Sequence, residues 1–335
     1  LRPEEERPEE EKDIWQLDRF EFYIRRNPID PIRSLRFEKI RQERIKSEVK
    51  QACYIFLKYQ SAGTIVSDIR AAQRFTDYLL EKYPKVQSFG EINRSMIENY
   101  LLFTKTNNPD RKNRKTELAH LRRVLTQVGK NIEKPYLGRL FIKNDMPKMP
   151  EPVFRYYSDA EIERLNKHIV NLEEQVARAL ILHQMLGGRI SDTLTLRTNC
   201  IYQEHGQFIL RIYQVKTSYY EKPIPDTVAA LIEKSREYTF ERYGETEYIF
   251  VNEKDPKLPF QYSMLKNKVY AMIYENDIRN DAGELMGFGT HLLGHRGMNC
   301  VYRYRRASSQ HLKEETKKCR EAIDEILGDI TKAWA

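Results

Sequence analysis

Residues 289–308 read GTHLLGHRGMNCVYRYRRAS, which sets two imidazoles, His291 and His295, a phenol, Tyr304, and a cluster of arginines close together. A phenol becomes a nucleophile when a neighbour assists loss of its proton, imidazoles move protons near neutral pH, and guanidinium groups hold phosphate oxygens bidentately. Far upstream stand an arginine directly after a diglycine, Arg189 in GGRISDTLTLR, and a lysine, Lys216 in QVKTSYYEKPIP. Such a set could attack a phosphodiester, neutralise the charge that develops on the pentavalent phosphate, and protonate the leaving oxygen. Each residue also has a plainer reading. Most of the 21 tyrosines are half-buried packing residues, an arginine in a tight turn satisfies helix C-terminal carbonyls, and a hairpin lysine is solvated.

The elements that must position these groups are legible from periodicity and punctuation. Ser158 and Glu161 form a capping box for a helix over 159–169, and a second helix over 173–185 ends at Gly187 and Gly188, where a tight turn tolerates positive φ. Arg189 follows at once, with Ser191 as N-cap of a short helix containing Leu194 and Leu196. The period then changes to extended: strands over 208–214 and 222–225 enclose a turn, placing Lys216 near a hairpin tip. A helix over 226–240, a strand over 248–251, a helix over 262–275 and a turn at Asp281, Ala282 and Gly283 lead into the 289–308 stretch. The C-terminal residues Leu312, Cys319, Ile323, Ile326, Leu327 and Ile330 trace one face of an amphipathic helix.

Ahead of these lie four helical patterns, over 41–60, 67–83, 92–103 and 113–128. The last carries Arg111, Lys112, Arg114, Lys115, Arg122 and Arg123 at its start and outer face, a row able to grip duplex phosphates or to form a solvated face. Trp15, Phe20, Phe22, Tyr23 and Phe37 mark an arm or strap that packs on the next domain, and Pro28 and Pro31 break any helix there.

A chain of 335 residues with 40% hydrophobic content suits two folded domains. Its net charge of +8 understates its basic character, because residues 1–13 hold seven acids against three bases and leave +12 on the rest. That asymmetry favours a polyanionic partner, though charge alone is equally met by a charge-rich solvated surface. The acidic start cannot bury apolar surface and is expected to be disordered. Four cysteines at scattered positions give neither a zinc spacing nor a disulfide framework, so they read as reduced packing residues. No apolar run approaches a membrane span, and the start is no signal peptide, so the expectation is a cytoplasmic protein with no membrane partner. Beginning at Leu1 rather than Met, the sequence reads as a fragment or a processed form.

Three pieces, GGRISDTLTLR, QVKTSYYEKPIP and LLGHRGMNCVYRY, resemble in their order and contexts the tyrosine recombinases, the phage integrase family, including transposon-borne integrases. The resemblance covers most of residues 40–310. It implies a fold that is mainly α with a small antiparallel sheet: an N-terminal helical, SAM-like core-binding domain and a mixed α+β catalytic domain. The corresponding division is an acidic tail and arm over 1–40, a DNA-binding core over 41–134, a linker over 135–157, a catalytic domain over 158–308 and a C-terminal helix over 309–335.

By resemblance Arg189 looks like the first catalytic arginine, Lys216 the hairpin lysine, and His291 and His295 the two histidines. Tyr304, nine residues beyond His295, looks like the nucleophile that forms a 3′-phosphotyrosine. Tyr302 is a rival that the spacing disfavours. The implied partners are double-stranded DNA and further copies of the chain assembled on paired sites, with the C-terminal helix as a docking element. No cofactor or metal is implied, because the phosphotyrosine conserves the energy of the broken bond.

The sequence departs from the family pattern in one place. The family's first histidine opens a box that ends in a second arginine, and a helical segment separates that arginine from the Leu-Gly-His box. Here only Leu292, Leu293 and Gly294 lie between His291 and His295, less than one helical turn. Either a segment is missing between His291 and Leu292, the reading that the spacing from His295 to Tyr304 favours, or HLLGH is the first box with Gly294 in place of arginine. No second arginine is assigned. The alternatives to a site-specific recombinase are a catalytically impaired DNA-binding or assembly protein of the same fold and a type IB topoisomerase-like enzyme.

Overall fold

A computed structural model describes residues 7–107, 113–148, 157–215 and 219–289. The chain divides into two compact units, one of Leu1–Asn27 with Pro31–Pro152, the other of Pro28–Asp30 with Val153–Ala335.

In the first unit, α1 (Glu43–Leu57), α2 (Ala62–Lys82), α3 (Arg94–Asn107) and α4 (Arg114–Asn131) surround one core. The apolar stripes predicted for α1 and α4 are buried: Ile45, Val49, Ala52, Cys53, Phe56 and Leu57 on one, Leu118, Leu121, Val124, Leu125 and Val128 on the other. Helix α2 starts five residues earlier than its apolar stripe suggests, because the Ser61 hydroxyl accepts from Thr64 N and caps it there. It ends before Pro84, as expected.

The arm is part of this core rather than a strap over it. Strand β1 (Ile14–Gln16) pairs antiparallel with β2 (Ser34–Arg36), Trp15 opposite Leu35, and Trp15 packs 4.7 Å from Phe37 between ring centroids. The acidic start is ordered from Pro8 to Asp13, against the expectation of disorder. Glu9–Glu11 form a 3₁₀ turn, and Asp13 accepts from Lys46 Nζ at 2.9 Å and Lys50 Nζ at 2.8 Å. Burial opposes ionisation of Asp13, but these two ammonium groups outweigh it and hold the carboxyl below its ordinary range. Lysines of α1 thus compensate charge that composition alone assigns to solvent. Residues beyond α4, expected to begin the linker, also belong here: Leu137, Leu140 and Phe141 are buried in the first core.

The second unit holds α5 (Asp159–Ile169), α6 (Glu174–Leu186), α7 (Ile190–Leu194), α8 (Asp226–Tyr243) and α9 (Tyr262–Glu275). The predicted capping box of α5 is present, Glu161 N donating to Ser158 Oγ at 3.1 Å and Ser158 N to Glu161 Oε2 at 2.9 Å. Between α7 and α8 runs an antiparallel sheet of β3 (Ile201–Glu204), β4 (Gln207–Tyr213) and β5 (Tyr219–Ile224), in that order. The sequence pattern indicates only the β4–β5 hairpin. Strand β3 leaves little trace in the pattern because it is short and covers little of the core. The hairpin is also longer than expected, since Tyr219 pairs with Tyr213 and the two rings lie 5.1 Å apart. A second pair, β6 (Val251–Asn252) and β7 (Asp255–Pro259), follows α8. Leu180, Leu194, Leu210, Ile249, Leu265 and Ile273 lie in this unit's core, and Ile29 joins them with its carbonyl accepting from Tyr262 N at 2.9 Å.

Candidate active site and nucleic-acid interface

Helix α6 ends because Gly187 adopts φ +64°, the left-handed conformation that a side chain disfavours, and its N–H donates to His183 O. Of the two glycines only Gly187 needs this freedom; Gly188 has no positive φ, and a Cβ there meets nothing within 4 Å. Arg189 is extended and is itself the N-cap of α7, its carbonyl accepting from Asp192 N and Thr193 N. Ser191, expected as the cap, lies inside α7 and is buried. The turn reverses the chain so abruptly that the helix restarts two residues earlier than a serine cap requires.

The Arg189 side chain is 49% exposed, open to a ligand, while Asp192 beneath it is 3% exposed. Asp192 Oδ2 lies 4.0 Å from the Arg189 guanidinium. The same carboxylate accepts from Ser191 Oγ at 3.2 Å, Gln214 Nε2 at 3.4 Å and Val215 N at 3.4 Å. Val215 immediately precedes Lys216. One buried carboxylate therefore joins the arginine turn to the backbone that leads into the lysine. On the other side of the turn, the buried His183 ring sits 3.3 Å from Thr193 Oγ1, tying α6 to α7.

Strand β5 contributes two residues that the sequence does not single out. Tyr220 is half-buried and within electrostatic reach of both Asp192 and Arg189: burial pushes its phenol up, the carboxylate adds to this and the guanidinium opposes it. Two residues along the same face, Lys222 Nζ donates at 2.9 Å to Leu186 O, the last carbonyl of α6. Their signal is the alternation within YYEKPI, which the charged and turn-forming residues beside it disguise as a longer turn.

Upstream of the 289–308 stretch, the chain is clasped by two hydroxyls. Tyr157 OH donates to Gly287 O at 2.6 Å and accepts from Gly289 N at 3.0 Å, and Tyr270 OH lies 3.2 Å from Phe288 N as acceptor. Burial pushes the Tyr157 phenol up to about 12. Of the predicted catalytic set, Arg189 lies within the described residues; Lys216, His291, His295 and Tyr304 lie outside them, as do the junction at His291 and Leu292 and the C-terminal helix.

In the first unit, Lys115 and Arg122 line an open groove on α4 of about 460 Å³, with Lys130, Phe56 and the 62% exposed Tyr59. Lys130 extends the predicted basic row and Tyr59, just after α1, adds an aromatic to the groove; neither belongs to the row that the sequence predicts. Arg114 lies on the first turn of α4 and does not line the groove, and Arg111 and Lys112 lie outside the described residues. Arg123 also borders the groove, but its charge is committed inward: its Nε donates at 3.1 Å to Asp68 Oδ1, which is fully buried and also 2.8 Å from His120 Nδ1. Burial pushes the Asp68 carboxyl up against these hydrogen bonds, so Arg123 is the counter-charge that keeps an acid inside α2.

No protein-family model matches the chain. Transposase B from transposon Tn554 of Staphylococcus aureus is 24% identical over 348 aligned residues, covering 96% of this chain and 55% of that protein. Transposase B from PsiTn554 of the same species matches with the same identity and coverage. The chain thus spans about half the length of the curated relatives it matches. Among solved structures, the XerH site-specific recombinase bound to palindromic difH substrate, a post-cleavage complex, is similar with a TM-score of 0.57 and 16% identity, over 82% of each chain. The Tn1549 transposon integrase in complex with circular intermediate DNA has a TM-score of 0.50 and 12% identity, over 78% of this chain and 90% of that one. Likeness at these identities is likeness of fold, and the fold of this chain is that of the tyrosine recombinases.

Proposed function

We propose that the chain is a site-specific DNA recombinase that cuts and rejoins strands through a tyrosine, in the manner of an integrase or transposase. The observation that carries the proposal is the buried Asp192, which holds an exposed arginine and the lead-in to a hairpin lysine to one carboxylate. A phosphate-binding cation and a proton donor must converge on one phosphodiester, and a shared anchor is the simplest way to make them converge. The likeness to DNA-bound recombinases and, over nearly the whole chain, to a transposase supports the same reading.

In this mechanism Tyr304 Oη attacks the scissile phosphorus and the bond to the 5′ oxygen breaks, leaving a 3′-phosphotyrosine and a 5′ hydroxyl. The phenolic proton passes to His291 or His295, Arg189 bears the charge on the non-bridging oxygens, and Lys216 donates a proton to the leaving oxygen. Attack by a 5′ hydroxyl from a second site reverses the step and rejoins strands in a new combination. Lys115, Arg122 and Lys130 hold the duplex backbone. Paired sites require several copies of the chain, for which 309–335 is the candidate docking element.

A duplex nicked close to the cleavage site tests the proposal, because loss of the short fragment traps the covalent intermediate. The intact protein is expected to form a chelator-resistant adduct that Tyr304→Phe abolishes. Tight binding without any adduct refutes the enzymatic reading in favour of a DNA-binding protein of the same fold. Relaxation of supercoils without exchange between two sites refutes recombination in favour of a topoisomerase-like activity.

A further inference from the structure

Lysine at a helix C-terminus is ordinarily a solvated side chain on the helix itself, favoured weakly by the helix dipole. Lys222 is different in origin and in setting. It comes from another element, strand β5, and its half-buried side chain reaches Leu186 O at 2.9 Å, the final carbonyl of α6. Burial pushes its ammonium below the ordinary value, so holding the charge against the helix end carries a desolvation cost. Three residues beyond Leu186 is Arg189, and the left-handed Gly187 between them is the point where the backbone has most freedom to swing. The same strand places Tyr220 within electrostatic reach of Arg189 and Asp192. The hairpin stem is therefore fastened to the arginine turn from both sides of the glycines: by Lys222 ahead of them, by Asp192 behind them.

We propose that Lys222 is a positioning residue for Arg189, fixing the end of α6 so that the glycine turn presents the guanidinium to the scissile phosphate in one orientation. The proposal rests on the reading of Arg189 as the arginine that holds the phosphate. It makes β5 the element that fastens the Arg189 turn to the stem of the hairpin.

The test measures adduct formation under single turnover on the nicked duplex, with DNA affinity and melting temperature measured beside it. Lys222→Met is expected to slow adduct formation about tenfold, since misplacement of a reacting group by even 1 Å costs up to about a hundredfold. Its affinity for DNA should stay within about twofold of the parent, because the ammonium is turned into the fold. Lys222→Arg, which keeps a charged donor, should recover most of the rate.

A structural role alone would lower the melting temperature without singling out Arg189, so the cycle with Arg189→Lys decides. If Lys222 acts through Arg189, Lys222→Met added to Arg189→Lys slows the reaction by less than about threefold. Effects that multiply, or a Lys222→Met protein that folds and cleaves at the parental rate, overturn the positioning role while leaving the recombinase reading intact. Should Lys222→Met not fold, Lys222→Arg carries the test: a folded variant that keeps the donor yet cleaves as slowly as Arg189→Lys overturns it equally. Absence of an adduct from the unmodified protein removes the recombinase reading, and the positioning role with it.

Discussion

Replacing Asp192 by asparagine probes the anchor of the site with almost no change of shape. The carboxylate is 3% exposed and receives Ser191 Oγ at 3.2 Å and Gln214 Nε2 and Val215 N at 3.4 Å, with Arg189 at 4.0 Å. The arginine is half exposed, so loss of the ion pair costs about 0.5 kcal/mol. Most of the destabilisation comes from the new NH₂, which faces a donor on whichever side it lies and replaces a long charge-assisted hydrogen bond by two opposed donors, at about 1–2 kcal/mol. A loss near 2 kcal/mol corresponds to a fall of roughly 4–8 °C for a unit of this size. Catalysis should suffer more than stability, because the same change releases both the arginine turn and the backbone before Lys216. A displacement of about 1 Å predicts a fall in adduct formation of about a hundredfold. Single-turnover trapping on the nicked duplex measures the rate, fluorescence anisotropy the affinity, and thermal denaturation the stability. An Asp192→Asn protein that melts lower but cleaves at the parental rate refutes the idea that the carboxylate organises the site.

The glycines before Arg189 should differ: Gly187→Ala forces a side chain into φ +64° and costs about 1 kcal/mol, whereas Gly188→Ala leaves the melting temperature within a degree or so. On α4, Lys115→Ala, Arg122→Ala and Lys130→Ala should each flatten the dependence of log K on log salt by about 0.9 for every phosphate that is no longer neutralised. Arg123→Ala should instead strand the buried Asp68 and cost about 3 kcal/mol in denaturant titration, with a smaller change in salt slope. Hydrogen bonding from Arg94, assisted by Ile142 N, holds the Asp145 carboxyl below its ordinary value of 3.8. The folded value therefore lies below the unfolded one, so this stabilisation is fully present above the ordinary value and is lost as pH falls through the lowered one. Asp145→Asn should make the acid side of the stability profile shallower, as urea titrations from about pH 5 down to about pH 2 would reveal. A loss of identical steepness in parent and variant contradicts the assignment.

Local rules locate the helices because each carries its own signal. The Ser158 and Glu161 box fixes the start of α5, the stripe from Leu118 to Val128 fixes the inner face of α4, and both survive in the structure unchanged. What is illegible depends on partners distant in sequence. Asp13 looks solvated until Lys46 and Lys50 are beside it, and Arg123 looks like part of a phosphate-binding row until Asp68 is found buried under it. Trp15 and Phe37 announce packing, but only the pairing of β1 with β2 says that they pack in the first core.

The arginine turn shows the same division within a single site. Gly-Gly-Arg can be recognised as a place where a helix stops and a cation is exposed, since left-handed glycine leaves a signature in composition. That Asp192, rather than Ser191, is the residue on which the local geometry depends has no signature, because a buried acid three residues after an arginine looks like a helix-surface pair. Its role is set by Gln214 and Val215, which arrive from the hairpin, and by Tyr220 and Lys222, which return along β5. The two cations that the proposed mechanism brings to one phosphate thus stand in the sequence as two separate motifs. The carboxylate and the strand that join them follow from the fold alone, so substitutions at Asp192 and Lys222 test the site more sharply than removal of either cation.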